Sequence, residues 1–442
     1  MFFRKGRIKM SSMNKKKSFW LLIALFSLIG QVAWIVENMY FNVFIYNMFG
    51  ATPGQISFMV GASSVVATLT TVFIGALSDK LGKRKVFISA GYILWGVSIL
   101  GFALVREDII GGIFTTASSV GAVCVTVTII LDCVMTFFGS SANDACYNAW
   151  LTDITDKTNR GAVEGINSMM PLMAMLVVFG GFMSFDLKLV SSWTAIFIII
   201  GAVVLGVGVI SIFTIQESAQ KNTENSAYFK NIIYGFTPSV IKSNITLYLV
   251  ILALALFGIS IQIFMPYLII YYEVSLGMTD YVFVMAPAII IAGVFTAVYG
   301  RVYDKIGFGK SIILPICLLL AGYVMMGIFE QKALVFIGSL AIMCGYLSGM
   351  AVLGAMIRDF TPEGKAGAFQ GLRIVGQVLI PGIIGPAIGA AVLKNADYII
   401  GSDGTRSFVP NQSIFWAALV ALIPTVLIVL ITSMHIAKKN KT

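Results

Sequence analysis

Four ionisable side chains stand inside long apolar runs of this 442-residue chain and are candidates for chemistry: Glu37, Asp132, Asp144 and Arg373. A charge at the centre of a membrane helix costs ~2.5–3.5 kcal/mol, so such a residue is expected to face a partner, a solute or an ion. Asp144 lies nine residues before Asp153, which opens a polar loop. At ~1.5 Å per helical residue it sits ~13.5 Å deep, close to the midplane of a ~30 Å hydrocarbon core. Ser140, Ser141, Tyr147 and Asn148 fall within about one turn of it. A carboxylate among hydroxyls, an amide and an aromatic ring suits a hydroxyl-rich solute; bonding to a neighbouring helix is the alternative. Gln31, Trp34, Asn38 and Asn42 recur at i, i+3, i+7 and i+11, one polar and aromatic helix face with Glu37 beside it. That face either lines the same site or bonds between helices. Arg373, with Gln370 and Gln377 nearby, either meets a substrate oxygen, pairs with Asp144 or extends to the cytoplasm. Asp132 lies 12 residues outward of Asp144, ~18 Å along a helix, near the outer interface, where a structural role is expected. Gln262, Tyr267, Tyr271 and Tyr346 are further cavity candidates.

The elements that position these residues are helices in a membrane. Hydrophobic residues make up 58% of the chain and charged ones 11%, against about 25% charged in soluble domains. The runs are continuous rather than alternating, which excludes a transmembrane barrel. Spans are expected at 18–48, 53–77, 86–105, 120–150, 163–184, 190–214, 246–272, 279–300, 311–329, 333–357, 366–393 and 412–434. This is an all-α membrane protein of twelve spans, six plus six. Its expected parts are a basic tail 1–17, a bundle 18–215, a linker 216–245, and a second bundle with a short basic tail 246–442. Tyr228–Phe236 in the linker reads as an amphipathic piece or as an ordinary loop. Ile109–Ala122 extends a helix or folds back on the outer face. Gly180 with Gly181, and Gly382, Gly385, Pro386 and Gly389, are expected to permit close helix packing.

With the N-terminus inside, 25 of the 30 Lys and Arg residues fall on the cytoplasmic side. That asymmetry places both termini in the cytoplasm of a cell-membrane protein. It also accounts for the net charge of +10 without nucleic acid. The first apolar run, about 30 residues long, exceeds a signal-peptide core. The five cysteines lie in apolar runs without metal spacing and read as packing residues. The single histidine, His435, is near the C-terminus. Gly309-Lys310-Ser311 ends like a P-loop, but Asp304 stands where its first glycine belongs and no strand precedes it. No enzyme chemistry, cofactor or metal is expected. A monomeric carrier that moves a small-molecule solute down or against an ion gradient is.

Two polar loops repeat. Gly75-Ala-Leu-Ser-Asp79-Lys80-Leu-Gly82-Lys83-Arg84-Lys85 returns 225 residues later as Gly300-Arg-Val-Tyr-Asp304-Lys305-Ile-Gly307-Phe-Gly-Lys310. The loop opening at Asp153 returns at Asp359, with Gly161-Ala162 and Gly165 matched by Gly367-Ala368 and Gly371. Repeated loops between apolar spans mean two homologous halves. The first loop resembles the one between spans two and three of the major facilitator superfamily. That resemblance implies two six-helix bundles rocking around a central cavity, with Asp79, Arg84, Asp304 and Lys305 helping to close the cytoplasmic side.

Asp144-Ala-Cys-Tyr-Asn-Ala-Trp-Leu-Thr-Asp-Ile-Thr is similar to span four of the melibiose-type carriers, glycoside–pentoside–hexuronide cation symporters, whose aspartate binds the sugar. The arginine of that family falls at Met169, a departure that bears on the sugar pose. Gln31-Val-Ala-Trp34-Ile-Val-Glu37 resembles the span-one signature of sucrose-type carriers. These resemblances imply cation-coupled uptake of a sugar or glycoside, bound by Gln31, Trp34, Asn38, Asp144, Tyr147, Asn148, Arg373 and Gln377. Melibiose-type carriers hold sodium partly with acids on span two, and here 53–77 contains none. A proton needs only one suitably desolvated carboxylate, Glu37 first and Asp144 second; sodium is the other possibility. The alternatives are a proton-coupled drug exporter, with 21 methionines and 32 phenylalanines making a greasy pocket, and a non-transporting solute receptor on the same fold.

Overall fold

The computed structural model describes residues 17–114, 119–155, 160–217, 235–362, 366–400 and 406–439. Twelve helices among them are long and apolar enough to cross a membrane. Spans one to six are Phe19–Phe49, Pro53–Leu81, Arg84–Phe102, Val120–Ile154, Gly165–Phe182 and Val190–Thr214. Spans seven to twelve are Ile245–Ser275, Val282–Ile306, Phe308–Ile328, Lys332–Phe360, Gly371–Val392 and Ser413–Ala437. Helices are the economical solution, because they satisfy their backbone groups internally where no water can. The repeated loop glycines have a backbone reason. Gly82 (φ 64°) and Gly307 (φ 72°) turn the chain between spans two and three and between eight and nine, in a region side chains rarely enter.

The chain divides into two compact units. The first takes residues 1–38 and 69–225, the second 39–68 and 226–442. Within the first, span six lies against span three across glycines. A Cβ on Gly96 would stand 2.4 Å from the Leu205 nitrogen, and one on Gly208 2.6 Å from that of Ile93. Within the second, Gly385 and Gly389 admit Gln262 and the Ile263 carbonyl of span seven. Gly180 and Gly181 differ from expectation: nothing lies within 4 Å of a Cβ at either, so they mark no close packing.

The segment 39–68 packs with the second unit. The Tyr40 and Tyr281 hydroxyls are 3.1 Å apart, Tyr46 donates to the Phe408 carbonyl at 2.6 Å, and Tyr267 donates to the Pro53 carbonyl at 3.0 Å. Phe408 belongs to a hairpin of β1 (Tyr398–Ile400) and β2 (Arg406–Phe408).

After span three a separate short helix, Glu107–Ile113, folds back on the start of span four, where a Cβ on Gly111 would meet Val120. Of Tyr228–Phe236, residues 228–234 lie outside the described residues, as does the tail 1–16.

Four spans are not α-helical throughout. They widen into π-helical turns at Val36–Tyr40 in span one, Ser140–Tyr147 in span four, Tyr271–Ser275 in span seven and Val375–Leu379 in span eleven. Such turns are rare and concentrate at functional positions.

Candidate functional site

Asp144 sits within the π-helical stretch of span four, half-buried. Ser140 donates to its Oδ2 at 3.1 Å. The Trp34 indole N–H lies near the same carboxylate without closing a hydrogen bond of normal geometry. Asn148 is exposed and donates to the Asp144 backbone carbonyl at 3.3 Å. Spans one and four can approach here because residue 30 is glycine: a Cβ would stand 1.9 Å from the Asn143 amide nitrogen. Asn143 in turn donates to the Tyr92 hydroxyl at 2.7 Å.

Trp34 and Trp95 lie with ring centroids 5.0 Å apart, and both reach the position a Cβ on Gly139 would occupy. Gln31 is half-buried on the same span. Asn38 is exposed and donates to the Trp34 carbonyl at 2.7 Å. Asn42, the fourth residue of the expected stripe, is fully buried and belongs to the second unit. The π turn explains this, since one inserted residue rotates everything beyond it by ~100°.

Tyr147 turns inward. It is 1% exposed, donates to the Ile23 carbonyl at 3.0 Å and meets the Ser27 hydroxyl at 3.0 Å. Its hydroxyl is engaged with span one, at Ile23 and Ser27.

Glu37 is buried at the π turn of span one, and Thr136 of span four donates to its Oε1 at 2.8 Å. Asp132 is 1% exposed and lies within electrostatic reach of Glu37. It thus faces the protein interior beside span one. The signal was present: Asp132, Thr136, Ser140 and Asp144 recur every four residues and form one polar stripe on one helix.

In the second unit, Arg373 is half-buried and donates to Gln377 at 3.3 Å, with Gln377 exposed in the π turn of span eleven. Tyr271, also at a π turn, is fully buried with its hydroxyl unpartnered.

The two copies of the repeated loop differ. Arg84 reaches Asp79 at 2.7 Å and Asp153 at 2.5 Å. The Arg84 and Lys85 backbone N–H groups, at the open start of span three, donate to Glu217 at 2.8 and 3.2 Å. In the second copy Gly309 replaces the arginine. Asp304 and Lys305 are exposed, and among the described residues neither joins an ion pair. Tyr303 donates directly to Asp359 instead.

Twelve spans with carboxylates inside them define a polytopic membrane carrier. The Major Facilitator Superfamily profile matches residues 19–352, and the chain belongs to that family. Its members are carriers rather than enzymes. Several solved structures share the fold. The nucleoside transporter NupG, in a mutant form, superposes with a TM-score of 0.70 at 12% identity, covering 94% of this chain and 98% of that one. The inward-open xylose transporter XylE from E. coli gives 0.68 at 14%, covering 94% and 95%. A bacterial homologue of the human lysosomal transporter Spinster gives 0.63 at 18%, covering 95% and 96%. No curated protein sequence matches the chain.

Proposed function

We propose that this chain is a proton-coupled symporter that takes up a hydroxyl-rich solute, a sugar or glycoside, across the cell membrane. The observation that carries this reading is Asp144: a half-buried carboxylate on a π turn, held by Ser140 and flanked by Trp34 and the exposed amide of Asn148, with Asn38 further along span one. Carboxylate oxygens accept from vicinal hydroxyls, and an indole face covers the apolar side of a sugar ring. Gln31, Arg373 and Gln377 complete the proposed set. The similar folds of a nucleoside transporter and a xylose transporter support a polyhydroxylated solute. Glu37, buried among apolar residues, is the proposed proton carrier. Arg84 with Asp79, and Asp304 with Lys305, are the proposed gate residues on the cytoplasmic side, in a monomer with two six-span halves.

The test is uptake by a carrier-deficient host across a panel of labelled sugars, glycosides and nucleosides. Accumulation of at least one sugar or glycoside, abolished by a protonophore, is expected; accumulation that follows a sodium gradient and ignores pH overturns the coupling. Orientation is checked separately. Single cysteines at Lys188 and Arg406, in a cysteine-free background, are expected to react with an impermeant maleimide in intact cells, and those at Arg84 and Lys305 to stay unlabelled. The reverse pattern inverts the topology.

A further inference from the structure

We propose that Glu37 and Asp132 form a two-carboxylate site that holds one exchangeable proton between them, separate from Asp144, and that this pair loads the coupling proton. The second half of that statement rests on the proton-coupled reading above; the first half does not.

Glu37 is 7% exposed and Asp132 1%. Each keeps one buried oxygen, Oε2 of Glu37 and Oδ1 of Asp132, without a hydrogen-bond partner. The Thr136 hydroxyl serves only the other Glu37 oxygen. A buried polar atom without a partner is costly, and a buried charge without a partner far more so.

No cation answers these acids from the elements around them. Residues 19–49 and 120–154, spans one and four, contain no Lys, Arg or His. In span three the cations Arg84 and Lys85 sit in the first turn, where Arg84 is engaged by Asp79 and Asp153. The other titratable groups in reach are Asp144 for Glu37, and the Cys133 thiol beside Asp132. Among the described residues no three metal-ligating side chains come together. A single hydrogen meets the need. A carboxylic acid O–H on one residue, donating to the free oxygen of the other, satisfies both orphaned atoms and leaves the pair with one negative charge.

The pair also sits at a different level of span four from Asp144, which remains in electrostatic reach of Glu37. Along span four the order is Asp132, Thr136, Gly139, Ser140, Asp144. Trp34 and Trp95 both pack onto the bare backbone of Gly139, between the level of Glu37 and that of Asp144. The two-indole plate therefore separates a proton level from a solute level. Trp34 touches both: it stands one turn from Glu37, and its N–H lies near the Asp144 carboxylate. Solute seated on that indole is the natural route by which occupancy at one level reaches the other.

The experiment needs no solute. Infrared difference spectra of the purified, reconstituted protein between alkaline and acidic buffer report the carbonyl stretch of protonated carboxyls. A band that survives in Asp144→Asn, and is lost or shifted in both Glu37→Gln and Asp132→Asn, is expected. A band untouched by Asp132→Asn, untouched by both variants, or lost in Asp144→Asn overturns the shared site. Should Asp132→Asn elute as aggregate, Asp132→Glu keeps the acid, and a band moved in that variant alone supports the pairing while an unmoved one overturns it. If the band behaves as expected and no solute accumulates under a pH gradient, the pair stands and the transport reading falls.

Discussion

The two compact units handle buried polar groups in different ways. The first buries carboxylates, Glu37 and Asp132, in its interior, and carries the partly exposed Asp79–Arg84–Asp153 ion triad at its loop end. The second, among the described residues, buries no carboxylate; like the first with Tyr92 and Tyr147 it buries tyrosines, and more of them. Tyr272 donates to Ser339 at 2.6 Å, Tyr323 to Ser260 at 3.3 Å and Tyr267 to the Pro53 carbonyl at 3.0 Å. Even the repeated loops follow the contrast, with arginine between two aspartates in one copy and Tyr303 on Asp359 in the other. A neutral hydroxyl is cheaper to desolvate than a charge, and it cannot change its charge state near neutral pH. A carboxylate can. The first unit therefore carries groups able to exchange a proton, and the second carries a fixed hydrogen-bonded frame.

Removing charges from the first unit is expected to have the largest effects. Asp144→Asn keeps size but replaces two charged acceptor oxygens with one neutral acceptor and an amide donor. Uptake of the transported solute is expected to fall by ~100-fold or more, the scale on which a site rejects a broken polar contact, with normal expression and elution. Near wild-type uptake would make Asp144 a packing residue. Arg84→Gln comes next. It leaves half-buried Asp79 and exposed Asp153 without their shared cation, a loss of about 2 kcal/mol, read as a lower Tm in detergent. Tyr303→Phe, at the equivalent loop, removes one neutral donor and is expected to cost about 1 kcal/mol. Equal losses in the two variants would erase the contrast between the copies.

Smaller effects sharpen the frame side. Tyr323→Phe is expected to lower stability by about 1 kcal/mol and to leave the pH profile of uptake unchanged, because no titrating group is touched. A shifted profile would place the second unit in proton handling. Asp280→Asn is the smallest. Asp280 lies between spans seven and eight, where the Lys332 ammonium beside it holds its carboxyl below the usual range. Its folded value is depressed, so the contribution is present at neutral pH and fades as pH falls through that lowered value. The pair is exposed, so the variant is expected to match the wild type in Tm within error at every pH.

Much of the fold was legible in the sequence because lipid imposes a simple rule. Continuous apolar runs of about 20 residues can only be helices. The sixth span was expected at 190–214 and is Val190–Thr214, and every other boundary agrees to within six residues. The π turns were not legible, because inserting one residue into a helix depends on the packing around it and leaves no periodic trace. Asn42, two residues beyond the π turn, is fully buried and belongs to the second unit. Depth along a helix does not report facing, and Asp132 turns out to face the protein interior. Tyr147 shares a turn with Asp144 but points to Ser27, a partner 120 residues away. The grouping of 39–68 with the second unit rests on contacts such as Tyr46 with Phe408, 362 residues apart, which no local pattern encodes.

Glu217 has a consequence for the order in which the chain is made. Span three leaves the ribosome with the N–H groups of its first turn unanswered and Arg84 without Asp153, which follows 69 residues later. Glu217, which closes those N–H groups, follows 133 residues after Arg84. At ~5–20 residues per second that is a wait on the order of ten seconds. The last residues of the first half therefore close the open start of span three only after that half has been synthesised.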